Sequence, residues 1–121
     1  MKELTSKEEE VMNFFWKEGP LFVKDIVAAY PEPRPHFNTI STIVRGLEEK
    51  GFVSHKAYGK SYQYSPVVSE REMGAKSLKS IVSRYFKNSY LGAVSTLVKN
   101  EDITADELRK LLDLVERSSK K

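Results

Sequence analysis

The sequence predicts a mainly α-helical chain with one small β-hairpin, in two parts, residues 1–68 and 69–121. Three observations carry this. Between Pro35 and Gly51, the residues Phe37, Ile40, Ile43, Val44 and Leu47 recur at helical spacing, so at ~100° per residue they share one face. From Phe52 to Val67 the composition turns β-branched and aromatic, with Tyr62 and Tyr64 alternating against Ser61, Gln63 and Ser65. After Pro66 come three helical stretches with more apolar side chains than so thin a segment can bury.

Taken in order, Thr5 with Glu8, or Ser6 with Glu9, forms a capping box for a first helix reaching about Lys17, which Gly19-Pro20 ends. Leu4, Val11, Phe14 and Phe15 are its expected buried stripe, with Trp16 a packing residue. Leu21 and Phe22 suit a very short strand leading into a helix from Val23 to Tyr30, with Ile26, Val27 and Tyr30 inward. Pro31-Glu32-Pro33-Arg34-Pro35 cannot be helical, because each proline pushes its predecessor towards extended geometry. The next helix starts near Pro35 and stops at Gly51. Tyr58-Gly59-Lys60 turns the hairpin, leaving a lysine at its tip and Tyr58 exposed. Ser69 with Glu72 caps a helix to about Phe86, Lys87-Asn88-Ser89 interrupts it, a stretch from Tyr90 to Val98 follows, and Thr104 with Glu107 caps the last helix.

Composition narrows the function classes. With 40% hydrophobic and 31% charged residues the chain reads as a soluble globular protein, and no apolar run approaches the ~20 residues of a membrane span. The acidic start MKELTSKEEE does not read as a signal peptide, which points to the cytoplasm. The absence of cysteine excludes disulfides, thiolate metal sites and a cysteine nucleophile. No histidine spacing suits a metal, and there is no glycine-rich phosphate loop or nucleophile elbow, so neither an enzyme nor a cofactor is expected. His36 and His55 read as hydrogen-bonded surface or edge residues.

The net charge of +3 is unevenly spread. Residues 1–33 carry four lysines against seven acids, whereas 34–68 carry five basic residues against Glu48 and Glu49. The basic excess runs from the helix of 35–51 through the hairpin into the next helix, where Arg71, Lys76, Lys79, Arg84 and Lys87 fall. A phosphate backbone would lie along such a path.

The face of the 35–51 helix opposite its apolar stripe carries Asn38, Ser41, Thr42 and Arg45, short hydrogen-bonding side chains around one guanidinium. That composition suits base edges in a major groove. Helix, short strand, helix, turn, helix and two-stranded hairpin is the order of a winged helix-turn-helix, with Lys56 and Lys60 on the hairpin placed for phosphates. The alternative is a winged helix that docks a protein partner. Protein interfaces favour an aromatic or apolar anchor, and the outward face has none.

The specific stretches LTSKEEEVMNFFW, NTISTIVRGLEEKGFV and HKAYGKSYQYSP resemble the penicillinase repressor family, which includes the β-lactamase, methicillin-resistance and copper-operon repressors of bacteria, and the similarity spans the chain. The resemblance implies a homodimeric winged-helix repressor of double-stranded operator DNA with dyad symmetry, its C-terminal helices forming a dimerisation domain. Carried over by position, Asn38, Thr39, Ser41, Thr42 and Arg45 are recognition-helix contacts and Lys60 is a wing contact. Tyr90, Leu91, Val94, Leu97, Val98, Leu108, Leu111, Leu112 and Val115 are the expected two-fold interface. A membrane-bound sensor metalloprotease encoded nearby is the further partner that the family suggests.

Three departures stand out. Copper-responsive members end in a cysteine-rich motif that this chain lacks. Where β-lactam-responsive members are cut at an Asn-Phe bond, the matching region, Ala93 to Val98, reads Thr96-Leu97. The family tends to place an arginine just before the helix leucine matching Leu47, where this chain has Gly46.

Overall fold

The computed structural model describes residues 3–119 and divides the chain into two compact units, Met1–Gly74 and Ala75–Lys121. The sequence placed the change at 68/69. The first turn of the following helix goes with the first unit, because Met73 packs against that unit's core.

In the first unit, α1 (Ser6–Glu18), β1 (Leu21–Phe22), α2 (Val23–Ala29), α3 (Phe37–Glu49), β2 (Val53–Tyr58) and β3 (Ser61–Pro66) follow in the expected order. Thr5, not Ser6, caps α1: its hydroxyl accepts from the Glu8 N–H, and the Glu8 carboxylate accepts from the Thr5 N–H. Gly19 closes the helix at φ +83°, a region that costs a residue with a Cβ. The strands form one antiparallel sheet in the order β1-β3-β2, so the two-residue β1 covers the edge of the hairpin.

The core joins Val11, Met12 and Phe15 of α1 with Ile26 of α2, Ile40, Val44 and Leu47 of α3, and Phe52, Val53 and Tyr64 of the hairpin. Leu4, Phe14, Trp16, Val27 and Tyr30 pack around its edge, and Val27 and Tyr30 are less deeply inward than Ile26. Phe37 departs from expectation, being half exposed. It is the first residue of α3, and helical side chains lean towards the N-terminus, so its ring projects off the end of the helix instead of over the core.

A partly buried ion pair fastens α1 to the end of α3. Lys50 Nζ donates to Glu8 Oε1 at 2.6 Å, and Glu8 is only 8% exposed. Burial pushes the Glu8 carboxyl up, but the hydrogen bonds from Lys50 and Thr5 and the lysine charge outweigh it and hold the group below the usual carboxylate range. Gly46 also faces this pair: a Cβ there would lie 3.7 Å from Glu8 Oε2, so the family's arginine position falls beside α1.

In the second unit the chain continues along α4 (Glu70–Phe86), then α5 (Tyr90–Lys99) and α6 (Ala105–Ser119). The Ser69/Glu72 and Thr104/Glu107 caps form as expected. Lys87 and Asn88 break the helix at φ 52° and 66°, and Ser89 caps α5 by accepting from Gly92 N–H at 2.9 Å.

Candidate nucleic-acid interface

His36 rather than Pro35 opens α3. Its Nδ1 accepts from the Asn38 N–H at 3.1 Å, satisfying one of the free donors of the first turn. The helix then shows Asn38, Thr39, Thr42 and Arg45 to solvent, with Ser41 half-buried at the edge of the strip. Thr42 donates its hydroxyl to the Asn38 carbonyl at 2.9 Å, and Arg45 Nε lies 3.4 Å from the Ser41 carbonyl. Both side chains thus rest along their own helix. The Thr42 oxygen keeps its acceptor capacity and the Arg45 guanidinium its outer N–H donors, the groups a base edge or phosphate would engage.

The hairpin turns through Gly59 and Lys60, between the paired residues Tyr58 and Ser61. Gly59 holds φ +63° and Lys60 is not among the positive-φ residues, the pattern of a type II′ loop. Strand alternation puts His55, Tyr62 and Tyr64 on the face that carries the core residue Val53, and Lys56, Tyr58 and Phe22 on the other. Lys60 is therefore at the tip, whereas Lys56 lies on the outer face, its Nζ 6.0 Å from the centre of the Tyr58 ring. Phe22 meets that ring edge-on at 6.1 Å, and Lys24 sits 5.8 Å from the centre of the Phe22 ring. The structure gathers Asn38, Thr39, Ser41, Thr42 and Arg45 on one helix and separates Lys56 from them by the thickness of the sheet.

Sequence reasoning missed the link between α3 and the hairpin. His55 Nδ1 lies 2.6 Å from Glu48 Oε2, and the imidazole stacks on Tyr62 with ring centres 4.3 Å apart and 21° between planes. Tyr64 is buried, and its hydroxyl is pushed up by burial first and then by the Glu48 charge. Tyr62 is half exposed, and it packs along the hairpin against His55 and edge-on to Tyr64.

Among the described residues no cluster of histidine and acidic side chains could hold a metal ion, and no helix is long and apolar enough to cross a membrane. In the second unit, Tyr90, Leu91, Val94, Leu97, Val98, Leu111, Leu112 and Val115 are exposed in the single chain, and Leu108 is half-buried. Thr96-Leu97 lies inside α5, where Thr96 also donates its hydroxyl to the Gly92 carbonyl.

Comparison with known proteins agrees with this geometry. Residues 4–117 match the family model described as "Penicillinase repressor". The methicillin resistance regulatory protein MecI of Mammaliicoccus sciuri is 28% identical over 116 residues, 95% of this chain and 94% of that protein. The penicillinase repressor of Bacillus licheniformis is 21% identical over 115 residues, covering 94% and 90% of the two chains. The solution structure of the DNA-binding domain of the repressor BlaI matches 60% of this chain and 93% of that one, at 25% identity and a TM-score of 0.51. With a winged-helix unit of this architecture and a family match over nearly its whole length, the chain belongs to the penicillinase repressor family.

Proposed function

We infer that the protein is a cytoplasmic transcriptional repressor that binds double-stranded operator DNA of dyad symmetry as a homodimer, controlling a β-lactam-resistance or related stress operon. The observation that carries this reading is the strip Asn38, Thr39, Ser41, Thr42 and Arg45, displayed on α3 beside a wing tipped by Lys60. The strip enters the major groove and Lys60 meets the backbone, while Lys56 reaches phosphate from the outer face of the sheet. Apolar faces of α5 and α6 hold the second copy. A cut in the C-terminal unit by a membrane-bound sensor metalloprotease relieves repression, since detaching α6 removes part of that face. The Thr96-Leu97 bond would first have to leave its helix.

Two measurements test the DNA reading. Operator affinity should fall steeply with salt, because each lysine or arginine on a phosphate releases a counterion; titration at two salt concentrations shows it, and a flat response would favour docking of a protein. Arg45→Ala and Thr42→Ala should each reduce the preference for operator over random duplex by about 1 to 3 kcal/mol, the worth of a good base contact. Lys60→Ala should weaken both duplexes alike. Equal loss on all sequences with Arg45→Ala would make Arg45 a phosphate contact.

A further inference from the structure

We propose that Tyr62 is a further DNA contact, its hydroxyl donating to a phosphate oxygen of the duplex read by α3, and that His55 and Glu48 position it; this rests on the DNA-binding reading above. Tyr62 and Tyr64 lie two residues apart on one face of β3, yet Tyr64 is 5% exposed and Tyr62 50%. Tyr62 is thus the first side chain of that face beyond the edge of the core. It is nevertheless held in place. The near-parallel stack on His55 fixes its ring from one side, and Tyr64 meets it edge-on at 6.5 Å.

His55 is itself held from α3, by the 2.6 Å contact with Glu48. Glu48 follows Arg45 by three residues, so it stands one turn further along the same side of the helix, and a side-chain chain runs from α3 through Glu48 and His55 to Tyr62. The arrangement also handles a charge. A carboxylate open to the duplex at this level would repel phosphate, and its engagement with the imidazole turns it towards the wing instead. Among the described residues no hydrogen bond engages the Tyr62 hydroxyl. Lys60 stands two residues before it at the hairpin tip, and Arg45 lies on the α3 strip, so the ligand that this donor would meet is negatively charged. Tyrosine hydroxyls are among the groups that bond phosphate oxygens in protein–DNA complexes.

The test uses the full-length chain and a duplex that it enriches from a random-sequence library. Tyr62→Phe keeps the ring and its stack and removes only the donor, so affinity should fall about tenfold, the scale of one hydrogen bond to a charged group. The slope of affinity with salt should not change, because no cation has been removed, whereas Lys60→Ala should lower it by about one. His55→Ala should cost as much as Tyr62→Phe, and the double variant should bind no worse than either single one, since His55 acts through Tyr62. Wild-type affinity in Tyr62→Phe overturns the contact. Losses that multiply in the double variant overturn the positioning role of His55. Failure of the wild-type chain to enrich any duplex would remove the DNA-binding reading itself, a result distinct from either.

Discussion

Shortening the protein to residues 1–74 is expected to leave a folded, monomeric winged helix whose affinity for a dyad operator is lower by roughly 10² to 10⁴-fold, the usual worth of a tethered second binding unit. The shortened chain keeps every residue of the first core, including Val68 and Met73, and loses none of the α3 strip. What it loses is the run of exposed apolar side chains on α5 and α6. Leu91 is 79% exposed in one chain, and Leu112 and Val115 about three-fifths. Surface of this kind is unfavourable in water and is buried when a second copy presents the same patch. One recognition helix reads too few base pairs to select a site in a genome, so fixing two of them at operator spacing supplies the affinity. Sedimentation of the full chain and of residues 1–74 measures the assembly. A full-length monomer at micromolar concentration, or a dimeric fragment, would sink the idea.

Lys50→Met should cost about 3 kcal/mol of folding stability near neutral pH, the lower end for stranding one member of a buried pair, because the lysine end remains partly in contact with water. The cost lies in Glu8. Its carboxylate is nearly enclosed, and without Lys50 only the Thr5 groups of the capping box offset its desolvation. The sign with pH follows. In the wild type the Glu8 carboxyl is held below its ordinary value of 4.5, so its stabilising contribution is full above that value and is lost as pH falls through the lowered one. In the variant, acid neutralises a stranded charge. The stability gap between the two proteins should therefore narrow as pH drops below about 4.5, in urea melts at pH 7 and pH 3. A gap independent of pH would assign the loss to packing of the lysine stem.

Much of the fold is legible in the sequence because its signals are local. Thr5 with Glu8, Ser69 with Glu72 and Thr104 with Glu107 cap their helices within four residues, and Gly59 sets the hairpin register that pairs Tyr58 with Ser61. The α3 strip is legible for the same reason, since helical periodicity alone separates Asn38, Thr42 and Arg45 from Ile40, Val44 and Leu47. Phe37 shows where periodicity stops working. It has the angle of a core residue but lies past the end of the packed surface. The missed features are contacts between elements. Glu8 with Lys50 spans 42 positions, and Glu48 with His55 depends on how the hairpin leaves α3. A charged residue in a helix shows nothing in sequence of which opposite charge will reach it. Strand parity could have separated Lys56 from the α3 side, because Lys56 alternates with His55 across the pleat.

Trp16 is the chain's single tryptophan, and its indole N–H donates to the carbonyl of Val68, the buried residue at which the wing gives way to the cap of α4. Optically, the protein therefore carries one indole chromophore, half-buried on α1 and tied to the exit of the hairpin 52 residues away. Its emission responds to the polarity around that one junction and is not averaged with other indoles. A red shift with α1 still helical would mean that the strand leaving the wing had come away from the domain, and an unchanged spectrum on adding DNA would mean that the junction stays closed while the wing engages.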